Sequence, residues 1–261
     1  MNLTLALAQI APIPGDNEAN YAQARQHIAR AAAQNADLLL LPELWSNGDA
    51  LARVAQLAEP IPHGPTTQWL SARAQEFGLW LGGSYMEAAG AKFYNAAILC
   101  GPQGQILGPY RKIHRFGPMH EDDWLDAGCT PGLFDLPWGK TGLAICYDLR
   151  FPELFRHLAL AGARLILLPS LWPHARLHHW RTLVQARAIE NQCFVVAVNG
   201  CGGDPGEPFA GHSMAVGPWG RILAEAGADP ELLIVHIDLD ETDTARARIP
   251  ILADRRPQCY G

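Results

Sequence analysis

The chain is short of charge. Asp, Glu, Lys and Arg make up 18% of its 261 residues, the formal net charge is −6, and no run of Lys or Arg could neutralise a row of phosphates. Nucleic acid is therefore excluded as an expected partner, and anionic membrane surfaces are disfavoured for the same reason. No segment approaches the roughly 18 uninterrupted apolar residues of a membrane span. The six cysteines, Cys100, Cys129, Cys146, Cys193, Cys201 and Cys259, include no CxxC pair. That argues against both a zinc ribbon and a dense disulfide framework, and free thiols in a reducing cytoplasm are the expectation. The N-terminal stretch Met1 to Ile10 has no basic region ahead of its apolar residues and is interrupted by Gln9, so it reads as a first strand rather than a signal peptide. No linker or low-complexity stretch divides the sequence, and one domain over residues 1–261 is expected.

What the chain has is apolar content, 49% of it, enough to bury a substantial core. Strand-like and helix-like stretches alternate, which predicts an α/β fold. Asp16 and Asn17 can cap a helix running to about Asn35, with Tyr21, Ala24, Ile28 and Ala31 recurring on one face. Leu38 to Leu41 form an apolar strand, and Thr66 to Phe77 a second helix between Pro65 and Gly78. Strands at 79–85 and 93–99 follow. Gly101-Pro102-Gln103-Gly104 and Pro218-Trp219-Gly220 each supply a turn between apolar runs. Hairpins interspersed with α/β units predict mixed sheets.

One stretch recurs. Ala36 to Trp45 (ADLLLLPELW) matches Ala163 to Trp172 (ARLILLPSLW) at most positions. Either two pseudo-symmetric halves each send a buried strand to a shared cleft, or helix, aliphatics and Pro recur by chance.

Three places carry chemistry. Thr141 to Arg156 (TGLAICYDLRFPELFR) reads as a buried strand, a sharp turn and a helix with Pro152 in its first turn. A cysteine in an apolar run is by default a small core residue. The polar, turn-forming residues after Cys146 argue instead for a nucleophile at an elbow, where neighbouring amides can donate to a developing negative charge. In Leu40-Leu41-Pro42-Glu43 a carboxylate ends an otherwise dry strand. Desolvation there would raise it toward neutrality, as a proton shuttle needs; the plainer reading is the first solvated residue after a core strand. Tyr110-Arg111-Lys112-Ile113-His114 places a basic cluster after a hairpin strand, a weak signal by itself. Together they form a set: a thiolate to attack a carbonyl, an ammonium to hold its oxygen and a carboxylate to relay protons, with no step needing a metal or organic cofactor.

These residues resemble the nitrilase superfamily of carbon–nitrogen hydrolases, whose Glu, Lys and Cys motifs occur in this order. The match comprises LPE at 41–43, YRKIH at 110–114 and CYDLRFPE at 146–153, and extends through ARAIENQ at 186–192 and DRRP at 254–257. The resemblance implies a four-layer α-β-β-α sandwich of two mixed sheets, commonly dimerised through helices near the active site. It assigns Glu43, Lys112 and Cys146 as catalytic, the Tyr147 backbone N–H as an oxyanion donor, and Glu121, among neighbouring acids, as the supporting carboxylate. The stretch at 171–180 (LWPHARLHHW) is similar to the ω-amidase branch, which hydrolyses amides of small dicarboxylates such as 2-oxoglutaramate. Such a substrate needs a partner for its far carboxylate, Arg150 or Arg176, with Trp172 as an apolar wall; the equal alternative for Arg150 is a structural ion pair with a nearby acid. Relatives bearing the same three residues act on nitriles, N-carbamoyl amino acids or deaminated glutathione, so those substrates remain alternatives.

Two other motifs compete. His174, His178 and His179 have helical spacing for a metal but no carboxylate or cysteine to complete a set. Gly200-Cys201-Gly202-Gly203 lacks the lysine and helix start of a phosphate loop and reads as a mobile loop. A catalytically silent interaction protein on the same fold is the non-enzyme alternative.

Overall fold

The computed structural model describes residues 1–260. In chain order the elements are β1 (Asn2–Gln9), α1 (Asn17–Ala32), β2 (Leu38–Leu40), α2 (Val54–Leu57), α3 (Pro65–Phe77), β3 (Trp80–Ala89), β4 (Lys92–Cys100) and β5 (Ile106–Arg111). Then come α4 (Glu121–Trp124), β6 (Gly132–Leu136), β7 (Gly139–Leu143), α5 (Pro152–Leu160), β8 (Leu165–Ser170), α6 (Leu177–Asn191) and β9 (Phe194–Asn199). The chain closes with β10 (Cys201–Gly202), β11 (Phe209–Ala210), β12 (Met214–Val216), β13 (Ile222–Glu225), β14 (Glu231–Asp238) and α7 (Asp240–Arg248).

Two six-stranded sheets form, in the orders β14-β1-β2-β3-β4-β5 and β13-β12-β9-β8-β7-β6. Each has a parallel trio at its centre, β1-β2-β3 in one and β7-β8-β9 in the other, with antiparallel strands outside. Within each trio the crossovers carry helices, α1 and α3 in the first half, α5 and α6 in the second. The two halves therefore share one topology, and the repeated sequence marks equivalent central strands, β2 and β8.

Alternation along the strands shows how the layers stack. Leu5, Leu7, Leu38 and Leu40 join a core with Leu165, Leu167 and Val196 of the other sheet. Ala6, Ala8, Leu39 and Leu41 point the opposite way, into a cluster with Ala24 and Ile28 of α1 and Leu70 and Ala74 of α3. On the second sheet a Cβ at Gly142 would meet Leu158 of α5 and Ile166 of β8, so those residues lie on the outer, helix-covered face. The result is the four-layer α-β-β-α sandwich with mixed sheets that the family resemblance implied. Strands buried on both faces read as unbroken aliphatic runs, which is why Leu38 to Leu41 carry no polar alternation.

Element ends shift slightly from expectation. Asp16 caps α1 by accepting from the Ala19 N–H at 3.0 Å, but the helix stops at Ala32, and Asn35 turns the chain with φ 55°. The strands expected at 79–85 and 93–99 extend into one long hairpin, β3 and β4, joined at Gly90-Ala91. The segment expected to be a mobile loop at Gly200 is partly ordered: Cys201 and Gly202 pair antiparallel with Ala210 and Phe209. No helix among the described residues is long and apolar enough to cross a membrane.

Candidate active site

Glu43 follows β2, Lys112 follows β5 and Cys146 follows β7, so three carrier segments far apart in sequence end at one place. The Lys112 ammonium lies 2.9 Å from Glu43 Oε1 and 2.7 Å from Glu121 Oε2. All three side chains and Cys146 are buried and line a common cavity.

The carboxylate of Glu43 is fully engaged. Oε1 accepts from Lys112 Nζ and from Asn95 Nδ2 at 2.8 Å, and Oε2 accepts from the Leu171 N–H at 2.8 Å. A cation, a side-chain amide and a backbone amide thus hold the Glu43 carboxylate in place from three different segments. The Leu171 contact joins the ends of the two equivalent strands β2 and β8, so Glu43 sits at a shared cleft, one of the two readings that the sequence repeat left open.

Burial works to lower the Lys112 ammonium's affinity for its proton, but the Glu121 and Glu43 carboxylates outweigh it and hold Lys112 well above its ordinary value. Glu121 also accepts from the Phe116 N–H at 2.7 Å. The neighbouring Asp122 and Asp123 are exposed, which separates Glu121 from the acids beside it.

Cys146 opens a short 3₁₀ turn (Cys146–Arg150) with φ 44°, a left-handed conformation that costs a non-glycine residue on the order of 1–3 kcal/mol. Such a bend swings the side chain off the strand axis and into the cavity. The Tyr147 N–H lies in the first turn, where amides have no acceptor within the helix. Burial, reinforced by the Glu43 carboxylate, pushes the Cys146 thiol well above its usual range, and Lys112 opposes them. The thiol is therefore protonated at rest and must lose its proton as it attacks.

A second cavity adjoins the first, sharing Phe116, Cys146 and Leu171, and is lined further by Tyr147, Arg150, Trp172, Pro173 and Arg176. The Arg150 guanidinium lies 4.7 Å from the Trp172 ring centroid and 3.3 Å from His179 Nδ1, and among the described residues it makes no ion pair with an acid. Arg176 differs, because Glu207 takes its Nη1 at 3.1 Å. His174, His178 and His179 are exposed, and His179 turns its Nδ1 to Arg150.

Sequence reasoning passed over three residues. Asp148, fully buried, accepts from Tyr110 Oη at 2.6 Å, the Ile145 N–H at 2.8 Å, the His114 N–H at 3.1 Å and His114 Nδ1 at 2.8 Å. It ties the cysteine elbow to the lysine-bearing segment, and it stood within the CYD motif without a role. Asn95 holds Glu43 from β4, and its carbonyl accepts the Lys112 N–H at 2.8 Å. Asp49 lines the cavity with no local pattern to announce it.

Fold and site together define a hydrolase of carbon–nitrogen bonds. The chain belongs to the carbon-nitrogen hydrolase family, whose model matches residues 4–247. It is 41% identical over 230 residues to the 2-oxoglutaramate amidase of Bacillus subtilis, covering 87% of this chain and 88% of that one. It is 36% identical over 278 residues to the deaminated glutathione amidase of Mus musculus, covering 98% and 84% respectively. Among solved structures, an amidase from Nesterenkonia sp. AN1, described with acrylamide added to its active-site cysteine, superposes with a TM-score of 0.86 at 30% identity, covering 99% of this chain and 98% of that one.

Proposed function

We propose that the protein is an ω-amidase, releasing ammonia from a small dicarboxylate monoamide such as 2-oxoglutaramate through a thioester on Cys146, with residues 1–261 acting as one catalytic domain. The observation that carries the substrate reading is Arg150, a guanidinium without an acidic partner beside the cavity that Cys146 shares. A carboxylate there gains a charge-assisted, bidentate contact, while Trp172 walls the carbon chain. Arg176, already paired with Glu207, frames the same cavity.

In the first half-reaction Glu43 takes the Cys146 proton as sulfur attacks the amide carbon. Lys112 Nζ and the Tyr147 N–H receive the negative charge that develops on oxygen. Glu43 passes the proton to the leaving nitrogen, the C–N bond breaks and ammonia departs. In the second half-reaction Glu43 takes a proton from water, the hydroxide displaces sulfur, and the acid leaves as the thiol is restored. Glu121 holds Lys112 in place throughout.

The similarity to the two amidases supports this class of substrate and also supplies the competing one. An ammonia-release screen across 2-oxoglutaramate, deaminated glutathione, N-carbamoyl amino acids and nitriles tests it. The highest kcat/KM is expected for 2-oxoglutaramate; a preference of tenfold or more for another compound overturns the substrate assignment while leaving the chemistry intact.

The described cysteines are all free, which fits a reducing cytoplasm. A homodimer is proposed through the α5–α6 side of the sandwich, where Leu160, Ile189 and Trp219 are exposed. Sedimentation at two protein concentrations tests it.

A further inference from the structure

A primary amide brings two N–H groups into the catalytic cavity, and the acceptors that surround Cys146 are largely committed. Both Glu43 oxygens are taken by Lys112, Asn95 and the Leu171 N–H, and Glu121 Oε2 by Lys112 and the Phe116 N–H. Leu44, Leu51, Phe116, Met119, Leu171 and Phe209 supply apolar walls. One carboxyl on that lining stands apart: Asp49 makes no hydrogen bond or ion pair among the described residues. Resting on the amidase reading above, we infer that Asp49 is a specificity-determining residue that accepts a hydrogen bond from the substrate's carboxamide NH₂, selecting primary amides over esters and nitriles of the same acid.

A half-buried carboxylate that no protein donor reaches is only partly satisfied, and a substrate that brings an N–H supplies the missing partner on binding. An ester or a nitrile carries no N–H at the reacting carbon and leaves Asp49 bare. Burial, followed by repulsion from Glu43 and Glu121, raises the Asp49 carboxyl to about 6, so it is an anionic acceptor at pH 8. Acylation itself is unchanged: the C–S bond forms, the C–N bond breaks, and the thiol proton leaves with nitrogen as ammonia. Asp49 aligns the departing nitrogen and takes no proton.

The test compares glutaramate with monomethyl glutarate, which deliver the same acyl group and the same far carboxylate. Their kcat/KM values, both reporting acylation, are measured at pH 8 for wild type, Asp49→Leu and Asp49→Asn. The amide-to-ester ratio should fall about 10- to 100-fold in Asp49→Leu, and by less in Asp49→Asn, which retains an acceptor oxygen. If Asp49→Leu does not fold, the drop in ratio for Asp49→Asn decides. A ratio unchanged in the folded variants, whether both rates fall together or neither falls, overturns the inference and leaves the amidase reading standing. A wild-type protein that releases no ammonia from glutaramate contradicts both.

Discussion

Lys112 and Glu43 meet as a buried ion pair at 2.9 Å, with neither side chain more than 5% exposed. Glu121 pairs with the same ammonium at 2.7 Å. Replacing the lysine by an apolar side chain of similar length would leave two carboxylates facing each other in a dry pocket. Lys112→Met is expected to lose about 3–5 kcal/mol of stability and on the order of 10²-fold or more in kcat/KM. Urea unfolding and ammonia release check the two effects separately. Wild-type kinetics in a folded Lys112→Met protein would remove the lysine from the oxyanion site.

Asp148 gathers four hydrogen bonds at the turn behind Cys146. Asp148→Asn turns an amide donor toward groups that themselves donate, at an expected cost of about 2–4 kcal/mol, with a fall in kcat as the elbow drifts from Lys112. Tyr110→Phe removes one of the four bonds and should cost about 1 kcal/mol. The two denaturation midpoints, measured side by side, distinguish a hub from a peripheral contact: equal small shifts would mean that Asp148 does not hold the two segments together.

Arg150→Met should raise KM for 2-oxoglutaramate by about 10- to 100-fold, the loss of a charge-assisted bond. Propionamide, which has no carboxylate to bind, should be hydrolysed by wild type and variant alike. An equal loss on both substrates would show that Arg150 supports the fold or the elbow rather than the substrate.

The pH dependence of stability carries the mark of Asp49. Its folded-state value of about 6 lies above that of an ordinary carboxyl, because of burial and of Glu43 and Glu121 nearby, with Lys112 opposing. The folded protein therefore binds the proton more tightly than the unfolded chain does. That contribution is fully present below about pH 4 and is lost as pH rises through 6. Asp49→Asn has nothing to titrate, so its stability relative to wild type should improve by about 3 kcal/mol between pH 4 and pH 7. Parallel pH profiles of the unfolding midpoint would contradict the raised affinity of this half-buried carboxyl for its proton.

Much of the architecture could be read in advance because it rests on local rules. The Asp16 cap, the helix stop at Gly78, the turns at Gly101 and Pro218, and the repeat linking β2 to β8 each leave a mark within a few residues. The sandwich and the Glu43, Lys112 and Cys146 grouping came instead through family likeness, since no periodicity states which strand ends converge. What escaped notice depends on convergence alone. Asp148 reaches Tyr110 across 38 positions, Asn95 reaches Glu43 across 52, and the Leu171 amide reaches Glu43 across 128. Our proposal of Arg150 over Arg176 rests on a single ion pair, Arg176 with Glu207, that no spacing encodes.

Everything in the account passes through sulfur. The most direct measurement is steady-state ammonia release from 2-oxoglutaramate by Cys146→Ala, with circular dichroism and the unfolding midpoint recorded on the same sample. Turnover should vanish while the fold stays intact, because Ala keeps the apolar surroundings and removes only the nucleophile. A folded Cys146→Ala protein that releases ammonia at the wild-type rate would contradict the mechanism.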